Sequence, residues 1–139
     1  MIDKLPGLAL VGLLLACGCA EKGPRRYDVS GTVTFQGKPV KAGQVVFYPD
    51  RSKGNDGPQG IAEIHDGYFD TRQTLGGKGG PGGPVVVSIE GFDGKPTADQ
   101  PYGGALFPPY RVEVDLPREN TTKDFDIPAS AASPARSRR

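Results

Sequence analysis

Tyr27-Asp28-Val29-Ser30-Gly31-Thr32-Val33-Thr34-Phe35-Gln36 alternates along its whole length. Tyr27, Val29, Gly31, Val33 and Phe35 share one face, while Asp28, Ser30, Thr32, Thr34 and Gln36 share the other. Successive side chains of a strand point to opposite sides, so a period of two specifies a sheet with one dry and one wet face. The turn-forming Gln36-Gly37-Lys38-Pro39 ends the pattern, and Ala42-Gly43 opens a second run, Gln44 to Tyr48. There Val45 and Phe47 alternate with Val46 and Tyr48, and apolar groups on both faces suit a central strand.

The same punctuation continues toward the C-terminus. Pro49 to Pro58 reads as a polar loop, and Ile61 to Thr71 as a hairpin around Asp66-Gly67. Asp-Gly fits a type I′ turn, whose two central residues both need positive φ, and it sets Ala62 and Ile64 opposite Tyr68 or Phe69. After the glycine-rich run 76–83, Pro84 suits the first position of a strand because it cannot donate to a ladder. Val85, Val87 and Ile89 then oppose Val86, Ser88 and Glu90. Gly91 to Pro109 is a long connection containing Asp93-Gly94 and Tyr102-Gly103-Gly104. Beyond it, Tyr110, Val112, Val114 and Leu116 alternate with Arg111, Glu113 and Asp115, and Lys123 to Ile127 forms a last strand with Phe125 and Ile127 inward.

No stretch from 20 to 128 carries a helical stripe. About seven short strands separated by turn signals predict an all-β chain, a seven-stranded Greek-key β-sandwich over residues 27–128. Phe35, Val45, Phe47, Ile64, Phe69, Val87, Ile89, Val112, Val114, Phe125 and Ile127 are the expected core. The 21 glycines and 14 prolines fall mostly between these alternations, where an all-β chain uses them as punctuation. A formal net charge of +1 argues against electrostatically driven nucleic-acid binding. The two cysteines, Cys17 and Cys19, both precede the domain, so no disulfide staples the fold.

The N-terminus has its own logic. Lys4 supplies a positive charge, Leu5 to Ala16 form an apolar run, and small Ala16 precedes Cys17. Spanning a bilayer takes ~20 apolar residues, so this run is short for a span and has the plan of an export signal. Leu14-Leu15-Ala16-Cys17 resembles the lipobox of bacterial lipoproteins, in which the cysteine thiol receives diacylglycerol and becomes the new N-terminus. The resemblance implies a cleaved signal helix over residues 1–16, a lipidated tether over 17–26 and an exported protein anchored to a membrane, facing periplasm or cell exterior. Each buried methylene contributes ~0.8 kcal/mol of membrane affinity, so two or more chains hold durably. After Pro128 the basic segment 129–139 lacks bulky apolar residues and is expected to be disordered.

Val29 to Val40, with Gly37-Lys38-Pro39, and Gly43-Gln44-Val45-Val46-Phe47-Tyr48-Pro49 resemble carboxypeptidase regulatory-like domains. Gly67-Tyr68-Phe69-Asp70-Thr71 is similar to the hairpin exit of that family, and Gly82 to Ile89 to one of its later strands. With the lipobox, the chain resembles planctomycete-type lipoproteins carrying this domain. The resemblance implies a transthyretin-like sandwich and does not imply catalysis; fold alone carries no function.

Chemistry-bearing residues are few. His65 is the only histidine, and its place before a hairpin turn predicts an exposed strand end. Ser30 and Ser88 lie on strand faces, whereas a nucleophile needs an oriented base beside it. Transthyretin-like hydroxyisourate hydrolases use several histidines and a terminal Tyr-Arg-Gly-Ser; this chain ends Arg136-Ser137-Arg138-Arg139. Lys78 within the glycine run is followed by Gly79, so the run is no P-loop. Asp50, Asn55 and Asp56, or Asp93 and Asp99, lack the spacing of a calcium loop and read as turn residues.

The expected function is therefore a non-catalytic structural or binding role in the envelope, without metal or cofactor. Its partners are the membrane and an envelope protein or glycan. Tyr102, Phe107 and Tyr110 in and beside the 91–110 loop are the candidate contacts of a carbohydrate- or protein-binding module, since long loops frequently carry function. A hydrolase of unrecognised type is the remaining alternative. Radiolabelled palmitate is expected to label the wild-type chain in cells and to leave Cys17→Ser unlabelled; label retained by that variant would remove the anchor.

Overall fold

The computed structural model describes residues 23–73 and 78–132. The signal run, Cys17, Cys19, residues 74–77 and residues 133–139 lie outside the described residues. Nine strands follow in order: β1 (Val29–Phe35), β2 (Lys38–Pro39), β3 (Ala42–Pro49), β4 (Gly60–His65), β5 (Tyr68–Asp70), β6 (Gly83–Phe92), β7 (Tyr110–Leu116), β8 (Thr121–Thr122) and β9 (Phe125–Ile127). No α-helix occurs among the described residues; two 3-10 turns, Arg51–Lys53 and Ala129–Ala132, are the only helical pieces there. The expected all-β class holds, and all seven expected strands are present. The two-residue β2 and β8 are additions. The structureless tail expected from residue 129 is corrected over Ala129–Ala132, because Ala131 is small enough to pack against the core from a single tight turn.

The strands form one curled, mainly antiparallel sheet in the order β2-β1-β5-β4-β3-β6-β7. As its two apolar faces suggested, β3 is central, paired over most of its length with β4 and β6. The Asp66-Gly67 turn is type I′ as expected, with φ of 49° and 80°, and it pairs Ile64 with Phe69 and His65 with Tyr68. On the side of β1 away from β5 run β8 and β9, both parallel to it. Gly31 makes that approach possible: a Cβ there would collide with the Lys123 carbonyl oxygen. The sheet curls until its two margins face each other, for β7 and β9 line a shared groove without a ladder between them.

The inner face is dry. Val45, Phe47, Ile64, Phe69, Val87, Ile89, Phe125 and Ile127 are buried as expected, and Val29, Val33, Val40, Ala62, Val85, Phe107 and Leu116 join them. Phe35, Val112 and Val114 are half-buried and pack against this cluster. The two valines lie on β7, beside the open groove, which explains their partial exposure. Phe69 stands between Phe47 and Phe125, with ring centroids 6.1 and 6.0 Å away.

Polar groups close the ends of the sheet. Buried Asn55 donates its amide to the carbonyls of Gly82 (2.9 Å) and Pro84 (2.7 Å), and Asp50 accepts from the backbone and hydroxyl of Ser52. Buried Asp70 accepts from Arg72 Nη2 at 2.7 Å, Arg72 Nε at 3.0 Å, the Arg72 backbone N–H at 2.9 Å and the Tyr68 hydroxyl at 3.3 Å. The Arg72 side-chain hydrogen bonds hold this carboxyl below its ordinary value, against the opposing effect of burial.

Two outcomes are expected. Phe47→Ala, at a fully buried ring, should cost ~3–5 kcal/mol in urea unfolding. Because the folded carboxyl of Asp70 titrates below the unfolded one, its contribution is present above roughly pH 4 and is lost as pH falls through the folded value. Stability measured from pH 5 to pH 2 should therefore fall less steeply in Asp70→Asn than in the wild type.

Candidate functional site

The outer face of the central strands carries a concavity whose shape follows from the register. Ala42 sits between His65 on β4 and Phe92 on β6, and Gln44 between Glu63 and Glu90. Directly opposed residues on neighbouring strands place their Cβ atoms ~4.5–5.5 Å apart, so these six side chains make two adjacent rows on one face. The methyl of Ala42 leaves a dent between the larger His65 and Phe92. Tyr102, from the 93–109 loop, closes one side, and the resulting cleft measures about 260 Å³.

The loop is fixed by Asp93. Its Oδ1 accepts from the backbone N–H groups of Lys95 (2.8 Å) and Gly104 (3.2 Å). The backbone closes the same ring, Asp93 N to Gly104 O at 3.0 Å and Gly94 N to Tyr102 O at 3.1 Å. Tyr102 is thereby held with its ring centroid 5.9 Å from that of Phe92, yet it remains 60% exposed. Half-exposed or exposed aromatic rings held this way offer a face to a ligand without first ordering a mobile chain.

The polar row is also tied. Gln44 Nε2 donates to Glu90 Oε2 at 2.9 Å, and His65 Nε2 lies 3.1 Å from Glu63 Oε2. Glu90 keeps acceptor capacity beyond its bond from Gln44, since an ionised carboxylate has about four lone-pair sites. His65 is the exposed strand end expected, with 76% of its side chain in solvent. Among the described residues, no serine, threonine or cysteine lines the cleft beside the His65–Glu63 pair.

The three expected contact residues separate. Tyr102 lies in the cleft. Tyr110 is half-buried at the start of β7, opposite Ile89, and lines the groove between β7 and β9 instead. Phe107 is corrected: it is 4% exposed and belongs to the core, its ring 5.0 Å from that of Phe35. Gly91 opens this position, because a Cβ there would stand 2.7 Å from the Phe107 ring. The connection also starts later than expected, as Gly91 and Phe92 extend β6.

Asp50 and Asp93 serve their own loops as their turn chemistry suggested, whereas Asn55 both accepts from the Gly57 N–H and ties its loop to the carbonyls of Gly82 and Pro84. Gln44, Glu63, Glu90 and Phe92 were not singled out in the sequence, because they come from three strands and converge only through register. The signal was present in outward positions of the strand periods, at Gln44, Glu63 and Glu90, but sheet order was needed to bring them together.

Compared with known proteins, the chain matches no family model, no curated sequence and no solved structure.

Proposed function

We propose that this chain is a non-catalytic binding domain of a bacterial envelope, anchored through lipid on Cys17, with the Tyr102 cleft as its ligand site and a saccharide as its ligand. Export and a position facing the periplasm or cell exterior follow from the same lipobox reading. The fold is read as a transthyretin-like Greek-key sandwich of the carboxypeptidase regulatory-like kind. Support for that comes from the Val29–Val40 and Gly43–Pro49 motifs and from a sheet curled around one core.

One observation carries the binding reading: an exposed tyrosine ring fixed beside a row of hydrogen-bonding side chains on a rigid sheet. Sugars present an apolar C–H face and a rim of hydroxyls. A ring such as Tyr102 covers the first, and Gln44, Glu63 and Glu90 can accept from the second. Small-molecule sites typically combine apolar walls with a few convergent polar groups in ~300–1,000 Å³. At about 260 Å³ the cleft suits one sugar ring rather than a buried chain.

The test is a glycan array probed with the full chain in detergent micelles. Wild type should retain a defined set of glycans, and Tyr102→Ala should lose at least tenfold in signal while unfolding at the wild-type temperature. An array pattern indifferent to Tyr102→Ala would overturn the cleft as the binding site.

A further inference from the structure

Resting on the lipid-anchor reading above, we infer that the end of the sheet carrying Arg25, Arg26 and Arg118 docks on anionic phospholipid headgroups. That contact turns the Tyr102 cleft away from the membrane. Tether length brings the two surfaces together. Pro24 is seven residues on from Cys17, and seven residues in any conformation reach at most ~25 Å. The domain end of the tether is pinned. Arg26 Nη1 donates to the carbonyls of Gln59 (3.1 Å) and Gly79 (3.4 Å), and Tyr27 exchanges backbone hydrogen bonds with Gly80 at 2.9 and 2.8 Å. A lipid on Cys17 therefore keeps headgroups within one tether length of this end, and charge decides which side of it meets them.

Arg25 and Arg118 line one hollow of about 300 Å³, together with Tyr27 and the turn 54–58. Both arginines are exposed, and among the described residues no carboxylate pairs with either of them or with Arg26. Asp56 is the one acid among the described residues of the lining. Arg118 is seated rather than loose. A Cβ on Gly82 would stand 3.0 Å from Arg118 Cγ, and one on Gly83 would stand 3.0 Å from its Nη2. These two glycines let the arginine lie along the backbone with its guanidinium left for an outside anion. The planar fork of guanidinium donors matches phosphate oxygens. A basic patch beside an acyl anchor adds a second membrane signal, drawn by the negative potential of an anionic leaflet.

The cleft lies at the other end of the same strand. Ala42 opens β3 and lines the cleft, whereas Pro49 closes β3 and leads into the loop that builds the hollow. Seven steps along a strand cover ~24 Å. Headgroups held on Arg118 thus leave Tyr102 on the far side of the domain, open to a ligand.

The experiment places the lipidated chain, as cells produce it, in nanodiscs of phosphatidylcholine with or without phosphatidylglycerol. Each disc carries a gadolinium-chelating headgroup lipid, and NMR reads the broadening of individual amides. With phosphatidylglycerol present, the Asn55, Gly57 and Gly82 amides should broaden at least threefold more than those of Gly67 and Tyr102. Phosphatidylcholine alone should erase most of that ratio, as should sodium chloride at about 1 M, where the Debye length falls to ~3 Å. The double variant Arg25→Glu, Arg118→Glu should lose the ratio while unfolding at the wild-type temperature, and Arg118→Lys should keep most of it. Equal broadening at both ends, or a ratio indifferent to phosphatidylglycerol and to the double variant, would overturn the docking. The anchor would then still stand if the intact mass of the chain includes diacylglycerol on Cys17. A mass without that group overturns anchor and orientation together. Inorganic phosphate moving the Gly82 amide in phosphatidylcholine discs as far as phosphatidylglycerol does would make free phosphate the occupant and overturn the lipid.

Discussion

The contact of three phenylalanine rings, Phe47 on β3, Phe69 on β5 and Phe125 on β9, holds the architecture together. A lone sheet with one apolar face cannot shield that face from water, so it must find another layer or roll up. Here Phe69 touches rings from the central strand and from the last strand, which binds the far end of the chain to the middle of the sheet. Aromatic side chains bury the largest apolar areas and prefer tilted contacts at these distances. With no tryptophan in the sequence and no cysteine inside the domain, this cluster and the valines around it supply the apolar burial. Closure also needs β9 to lie parallel against β1, and Gly31 clears the space for the Lys123 backbone between β8 and β9.

Rolling the inner face shut fixes what the outer face can do. Because Val45, Phe47 and their neighbours are committed inward, the alternate positions Ala42 and Gln44 must point outward from the central strand of the sheet. A site built on central strands is held more exactly in place than one built on loops alone. The loop contributes a single element, Tyr102, and even that is pinned by Asp93 through backbone hydrogen bonds. The cleft is a by-product of register: the residues that happen to stand on either side of a small Ala42 and a polar Gln44 define it.

Much of this fold was legible in the sequence because its signals are local. The period of two at Val29–Phe35 and Tyr110–Leu116 and the Asp66-Gly67 turn each require only neighbours in the chain to be understood. What escaped depends on contacts between distant residues. Phe107 and Tyr102 have the same standing in a long aromatic, proline-rich loop, yet Gly91 and Phe35 admit one to the core while Phe92 holds the other at the surface. Lys38–Pro39 reads as a turn, but the positive φ of Gln36 and Gly37 folds it back onto β1 as a short strand. The Glu63–Gln44–Glu90 row spans three strands, and nothing in the sequence orders β4, β3 and β6 side by side.

The open groove between β7 and β9 poses a physical problem, because unpaired strand margins are templates for pairing with another chain. Charge placement answers it. Glu113 and Asp115 are exposed on β7, and Asp124 and Asp126 stand across the groove, each accepting from a threonine hydroxyl of β1. Among the described residues Lys123 is the one cation lining the groove, and Lys53 Nζ lies 3.5 Å from Glu113 Oε2. An approaching copy of the same margin would set carboxylate against carboxylate, and like charges directly opposed across strands are destabilising. The half-exposed Val112 and Val114 thus lie between two acidic rims, and the sheet keeps an incomplete closure without inviting its own kind to complete it.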